Sequence, residues 1–310
     1  MTSISVVVAV NPTAGGGHGA RAGDDVVAIL QDGDDPAAPS ITAELLIAEN
    51  ALALRERARR ALEDGAAALV VVGGDGMVHL GVNLVAGTPT PLGIVAAGTG
   101  NDNARELGLP VGDPVAAARV VRDALSCGHR RTVDAARWRD DAGASGWFSG
   151  VLSAGFDSIV NERANGWSWP RGRLRYDLAI VRELPVFHAR QYTIRLDGER
   201  RDTGAVLVAV GNGPAYGGGM RICAGALMDD GLLDVVIAGP MPRRALIRLF
   251  PKVFRGEHLS HPAVTLTRAR TVRIEAAGIV GYADGERLAP LPMSCEVVPG
   301  AIQLLAPPGA

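Results

Sequence analysis

The stretch Ala67-Ala68-Leu69-Val70-Val71-Val72-Gly73-Gly74-Asp75-Gly76 decides the fold. Six apolar residues, half of them valine, suit a strand buried on both faces, and the glycines behind them predict a tight turn. The same grammar recurs on either side. Residues 4–10 are a β-branched run that stops at Asn11-Pro12-Thr13, and residues 26–30 belong to a helix behind a glycine loop. Residues 51–62, rich in Ala, Leu, Arg and Glu, predict a helix that ends at Asp64-Gly65. Residues 92–96 form another strand leading into Gly98-Thr99-Gly100-Asn101. Strand, glycine turn and helix in repetition imply an α/β layer with ligand sites at the carboxyl ends of its strands.

The composition changes after about Thr132. The remainder is rich in Gly, Pro and Val, with short strand candidates at 147–152, 192–196, 206–210, 233–237 and 271–275. Their spacing predicts a β-sandwich or a partly open barrel, interrupted by helical insertions at 173–184 and 243–254. A length of 310 residues agrees with two domains. The expected division is an α/β domain over 1–132 and a β-sandwich over 133–306, whose last strand can return to the first domain.

Apolar residues make up 47% and charged residues 21%, as in ordinary globular chains. With 31 basic and 33 acidic residues the net charge is -2, so no global positive field recruits nucleic acid. No apolar run approaches the roughly 18 residues of a membrane span, and the N-terminus lacks the basic region of a secretory signal. Cys127, Cys223 and Cys295 form neither a disulfide framework nor a zinc pattern, so a reduced, cytoplasmic protein is expected. The only lysine, Lys252, lies between Pro251 and Val253. A Walker A loop and the strand lysine of protein kinases are thereby excluded. If this chain handles phosphate, glycine backbone and arginine must do it.

Three glycine-rich turns follow strands, at 11–17, 73–76 and 98–101. Glycine lets backbone N–H groups approach phosphate oxygens, and a following helix adds its positive end. Asp75 and Asp102 suit Mg²⁺ or a ribose, although helix capping explains either equally well.

These segments resemble a known family. Asn11-Pro12-Thr13-Ala14-Gly15-Gly16, Gly73-Gly74-Asp75-Gly76 and Gly98-Thr99-Gly100-Asn101-Asp102 are similar to the nucleotide-binding motifs of the diacylglycerol-kinase catalytic domain. Later segments match in order: Gly155-Phe156-Asp157, Tyr216-Gly217-Gly218-Gly219-Met220, Asp229-Asp230-Gly231-Leu232-Leu233-Asp234 and Asp284-Gly285-Glu286. The likeness spans residues 4–306 and is closest in kind to the bacterial soluble lipid kinases. It implies an N-terminal α/β nucleotide domain and a C-terminal β-sandwich, as in diacylglycerol kinases and NAD kinases, with ATP as co-substrate and Mg²⁺ as cofactor. By motif, Asn11, Thr13, Gly15, Gly74, Asp75, Gly76 and Thr99 contact ATP, with Pro12, Ala14, Asn101 and Asp102 in the same loops. The resemblance also implies a structural Mg²⁺ site at the Asp230 carboxylate and the backbone carbonyls near Leu227 and Leu232. Glu286, or Asp284 beside it, is the implied general base. On an extended segment residues i and i+2 share a face, which would aim both carboxylates into one cleft.

The sequence departs from the family pattern at three places. Met77 follows Gly76 where a threonine is common, His79-Leu80 replaces an Asn-Glu pair, and Ala48 stands where a threonine often follows the second strand. Adenine and ribose contacts are therefore in question, whereas the phosphate loops and the Asp-Gly-Glu segment are intact. Arg21 is the guanidinium nearest the first glycine turn and suits either phosphate or a solvated helix face. His18 reads as a solvent-exposed loop histidine, and His258 and His261 lack the partners of a metal site. Trp167-Ser168-Trp169-Pro170-Arg171 suits either a bilayer or packing into the sandwich.

The expectation is an ATP-dependent lipid kinase, with diacylglycerol converted to phosphatidic acid as first choice. An NAD kinase-like enzyme is the rival, and a nucleotide- or lipid-binding regulator with weak turnover is the non-enzymatic one. Residues 241–256 hold Arg243, Arg244, Arg248, Lys252 and Arg255 without an acidic residue. Leu246, Ile247, Leu249, Phe250, Val253 and Phe254 recur there at helical spacing. A basic amphipathic helix suits a peripheral membrane surface, or else covers the sandwich. A homodimer is compatible with all of this.

Overall fold

The computed structural model describes residues 3–12, 19–32, 39–167, 169, 173–183 and 187–307, with the side chains of 173–177 left aside. Of the expected ATP contacts, Thr13, Ala14 and Gly15 lie outside the described residues, as does His18. The chain forms two compact units, Met1–Ala135 with Val298–Ala310, and Ala136–Val297.

The first unit alternates strands and helices: β1 Ser3–Val10, α1 Gly19–Gln31, β2 Ser40–Ile47, α2 Ala51–Glu63, β3 Ala68–Gly73, α3 Asp75–Val85, β4 Pro91–Ala96, α4 Asp102–Glu106 and α5 Pro114–Cys127. Its strands run parallel in the order β2-β1-β3-β4. Every residue of β3 and β4 is buried, as a parallel sheet covered on both faces requires. Val8, Val70 and Val95 pack with Val26 and Leu30 of α1 and Val121 of α5. Local signals fix the helix ends. The Asn50 side chain accepts the Ala53 N–H at the start of α2, Asp113 caps α5 through the Ala116 N–H, and Gly128 closes α5 at φ 69°. The chain leaves β1 towards β2 on one side and returns to β3 on the other. The carboxyl ends of β1 and β3 therefore flank the switch point, where open α/β sheets bind ligands.

The second unit is a β-sandwich. Its elements are β5 Arg131–Asp140, β6 Ser145–Phe148, β7 Val151–Gly155, α6 Phe156–Asn165, α7 Arg173–Glu183, β8 Arg190–Leu196, β9 Glu199–Ala205, β10 Leu207–Gly211, β11 Leu233–Ala238, α8 Arg243–Val253, β12 Val264–Ala269, β13 Thr271–Glu275, β14 Val280–Ala283, β15 Glu286–Pro290 and β16 Met293–Leu304. The strand candidate at 147–152 is divided in two at Ser149-Gly150. One sheet has the order β12-β11-β10-β7-β14-β15. Leu152, Ala154, Val208, Val210, Val235 and Ile237 on its inner face meet Tyr192, Ile194, Val272, Ile274 and Met293 of the facing layer. Val151, Ala209, Val236 and Ala238 on its outer face lie under Phe156 and Val160 of α6, Ala179 of α7 and Leu249 of α8. This alternation of period two gives the sheet two buried faces.

Two strands serve both units. β5 carries the chain out of the first unit, whose boundary falls after Ala135. β16 pairs antiparallel with β13 through residues 293–296, and then Gln303 and Leu304 pair parallel with β4. Gly300 donates its N–H to Asp134 at 2.8 Å as the strand re-enters the first unit. No helix among the described residues is long and apolar enough to cross a membrane.

Candidate functional site

In the first unit the turns after β3 and β4 are pressed together. A Cβ built on Gly98 would stand 2.3 Å from the Gly74 Cα, so the second turn tolerates no side chain at this contact. Asn101 locks the second turn. It adopts the left-handed conformation at φ 57°, accepts the Gly98 N–H at 3.0 Å and donates its amide to the Gly98 carbonyl at 2.8 Å. Asp75 opens α3, where a carboxylate suits the positive helix end, and its Oδ1 accepts the Asn103 N–H at 3.1 Å. Asp102 opens α4, is nearly fully buried and pairs with Arg105 at 2.7 Å. Arg105 in turn donates to the Gly100 carbonyl at 2.8 Å. The Asn11 N–H extends the β1–β3 ladder to the Val72 carbonyl.

Asn11, Gly74, Asp75, Gly76, Thr99, Asn101 and Asp102 thus sit at the carboxyl ends of β1, β3 and β4, with Pro12 behind Asn11. Gly76 and Thr99 are exposed, whereas Asn101 and Asp102 are turned inward to shape the loop. Met77 is buried with its Cγ against Gly73, so the departure there fills space beneath the turn. His79 faces Asn83 one helical turn on, at 3.2 Å. Arg21 is exposed on α1. Such an arrangement can cradle an anion on backbone N–H groups with a carboxylate beside it.

In the second unit the expected side-by-side geometry of Asp284 and Glu286 is corrected. Asp284 and Gly285 have φ of 52° and 85° and join β14 to β15, with Ala283 paired to Glu286. Positive φ at both central residues makes a two-residue hairpin turn, so the segment is not extended and the i, i+2 argument fails. The two carboxylates have different surroundings. Asp284 is buried and accepts the Ser149 N–H at 3.2 Å and the Gly150 N–H at 3.0 Å. Asn212 braces the same bend, donating its amide to the Ser149 carbonyl at 2.9 Å. Glu286 is exposed, and its carboxylate makes no hydrogen bond among the described residues. The neighbouring Arg287 is held by Glu162 of α6, which also accepts the Tyr282 hydroxyl at 2.5 Å.

Gly155 brings β7 against the next strand, its would-be Cβ 2.6 Å from the Val206 carbonyl oxygen. Asp157 follows at the start of α6, with its Oδ1 buried. The Tyr216 hydroxyl donates to Asp157 at 2.8 Å, and burial pushes the Asp157 carboxyl above its ordinary value and the Tyr216 phenol well above 10.0.

Asp230 accepts the Leu232 N–H at 3.0 Å, while Leu227 is half exposed. Asp234 is fully buried, and its Oδ2 has no hydrogen-bond partner. Burial raises the Asp234 carboxyl, the Arg268 charge opposes the rise and Asp230 adds to it. Arg268 stands 3.3 Å from Asp234 and 3.8 Å from Asp230. No group of three or more His, Cys, Asp or Glu suited to a metal occurs among the described residues. The Asp230 carboxylate is a hard oxygen donor of the type a divalent ion takes, while the Arg268 guanidinium already lies against both Asp230 and Asp234. His258 is no ligand: it is buried, with Nε2 2.9 Å from the Ile222 carbonyl, and burial lowers its pKa.

Sequence reasoning passed over Ser149, Gly150, Asn212, Asn103 and Arg268. Each meets its carboxylate or brace across a long stretch of chain, and no local spacing signals such a meeting.

Residues 5–138 match the diacylglycerol kinase catalytic domain, and residues 150–306 match the YegS C-terminal NAD kinase beta sandwich-like domain. A diacylglycerol kinase of Mycobacterium tuberculosis is 41% identical over 303 residues, covering 97% of this chain and 95% of that protein. A diacylglycerol kinase of Bacillus subtilis is 26% identical, over 67% of each chain. Among solved structures, a diacylglycerol kinase from Bacillus anthracis superposes with a TM-score of 0.74 at 23% identity, covering 99% of this chain and 97% of that one. An NAD kinase from Archaeoglobus fulgidus in complex with ATP shares the fold with a TM-score of 0.52 at 12% identity, over 98% of this chain and 92% of that one.

Proposed function

This chain belongs to the diacylglycerol kinase and lipid kinase family, and we propose that it uses ATP to phosphorylate a lipid hydroxyl, diacylglycerol first. The reading is carried by the pair of glycine turns at Gly74 and Gly98, pressed together beside Asp75 at the carboxyl ends of parallel strands. Backbone N–H groups of these turns hold the ATP phosphates, the task that lysine performs in other kinases. Glu286 accepts the proton of the lipid hydroxyl. The hydroxyl oxygen then bonds to the γ-phosphorus, the bond to the β,γ-bridging oxygen breaks, and ADP leaves with the phosphatidic acid product. Asp284 takes no proton: its carboxylate holds the Ser149-Gly150 bend and so fixes the hairpin that presents Glu286. Asp75 is the residue that would hold Mg²⁺ on the nucleotide, and Asp230 with the backbone carbonyls near Leu227 and Leu232 would hold it structurally. Bound there, the ion supplies charge neutralisation of phosphate and of clustered carboxylates. The working location is the cytoplasm with peripheral attachment to a membrane.

The test is a labelled-ATP assay over a panel of lipid alcohols with NAD⁺ as control, run on the parent and on Glu286→Gln. Diacylglycerol is expected to be labelled and NAD⁺ not. Turnover of the variant is expected to fall by about 10²–10⁴ while ATP still binds. Labelling of NAD⁺ alone would move the chain to the NAD kinase reading. Near-parent turnover in the variant would remove Glu286 as the base.

A further inference from the structure

The helices over the outer face of the second sheet have two sides, and only one is used by the core. Along α8, Leu249 is buried and Leu246 and Val253 pack into the same apolar cluster as Val236, Ala238 and Val264. The opposite face carries Arg244, Ile247, Arg248, Pro251 and Lys252, the i, i+3, i+4, i+7, i+8 set that shares one side of a helix. All five are exposed, and Ile247, at the centre of the cations, is 54% exposed. The stripe seen in the sequence is therefore split, with Ile247 left outside. Arg243, Arg244 and Arg248 have no carboxylate partner among the described residues, whereas Arg255 is paired with Glu257 at 2.7 Å. In the same helical layer, α7 exposes Leu178 and Val181 beside Ala179 and Ile180, which pack inward.

We propose that this outward face of α8 docks the protein on an anionic lipid bilayer. The charge argument selects the occupant. A chain of net charge -2 concentrates five cations and no acid in residues 241–256, around one exposed branched apolar side chain. Unpaired cations with a shallow apolar anchor match a headgroup layer of negative charge. The proposal rests on the lipid kinase reading only in that a bilayer substrate gives such a face its use.

The experiment compares the parent with the triple variant Arg244→Gln, Arg248→Gln, Lys252→Gln, and with Ile247→Ser. Partition onto vesicles of phosphatidylcholine with 30 mol% phosphatidylglycerol is measured by sedimentation at low and high salt, about 30% anionic lipid being chosen to give a strong surface potential. At about fivefold per cation, the triple variant is expected to lose on the order of 100-fold in partition and to lose the salt dependence of the parent. Ile247→Ser is expected to lose several-fold at every salt concentration. Phosphorylation of diacylglycerol in those vesicles falls in parallel, while phosphorylation of a short-chain diacylglycerol below its micellar concentration stays at the parent level. Unchanged partition and salt dependence overturn the proposal. So does loss of a concentration-dependent dimer with vesicle binding intact, which would assign the face to a second copy of the chain. If neither form of diacylglycerol is phosphorylated by any variant or the parent, the lipid kinase reading fails, and sedimentation still decides the docking.

Discussion

Asp75-Gly76 and Asp284-Gly285 are the same dipeptide beside the end of a buried strand, and the chain does opposite things with them. After Gly74 the backbone turns helical, and Asp75 begins α3 with its carboxylate on the Asn103 N–H. After Ala283 both residues take positive φ, and the chain doubles back into β15 with the Asp284 carboxylate on Ser149 and Gly150. An Asp-Gly pair announces a change of direction; it does not say which one. The partner of the carboxylate separates the roles. Asp75 is half-buried at the turn proposed to receive the nucleotide, whereas Asp284 is buried and holds the backbone of a distant bend.

The sharpest way to break this comparison is to delete both carboxylates. Asp75→Ala is expected to lower turnover by about 10²–10³ with little change in urea midpoint, the scale of removing one electrostatic contact from a reacting centre. Asp284→Ala leaves two backbone N–H groups without their acceptor and is expected to cost about 2–4 kcal/mol in urea unfolding. Equal stability losses in the two variants would erase the distinction.

A third aspartate sharpens it through pH. Burial holds the Asp157 carboxyl above 3.8, so the folded chain keeps this proton to a higher pH than the unfolded chain does. Between the unfolded value and the raised folded one this group binds more proton in the native state, so its contribution to stability falls as pH rises through that window. In urea unfolding from pH 4 upward, the stability of the parent should decline relative to that of Asp157→Asn. A decline of the same slope in the variant would assign it to other groups.

The smallest effects belong to the glycines. Gly285→Ala forces a side chain to φ 85° and is expected to cost about 1 kcal/mol in the same assay. Gly76→Ala falls in helical backbone and is expected to change stability by less than about 0.5 kcal/mol. A similar loss at both positions would mean that the two turns differ less than their dihedral angles say.

What could be read from the sequence follows the same division. The strand at β3, its glycine turn and the helix behind it are local events, and six apolar residues followed by Gly73-Gly74 specify them. The pairing of Asp284 with Glu286 across one face was read as though the segment were extended, because alternation is visible in a sequence and a left-handed dihedral is not. The periodicity of residues 246–254 marked a helix correctly, yet a period cannot choose which apolar residue is left outside; the outer face of the second sheet made that choice at Ile247. Arg268 and Asn212 gave no signal at all, since their importance exists only once distant strands have paired.

The division of β16 between the two units has a consequence for biogenesis. The ribosome finishes β1 to β4 early and then makes the whole sandwich before Gln303 and Leu304 emerge to pair with β4. Until then the nascent α/β layer carries an apolar strand with one unsatisfied edge, a template for pairing with other chains. Translation products that lack the last few residues of β16 should therefore leave the start of β4, at Pro91 and Leu92, open to pairing with other chains.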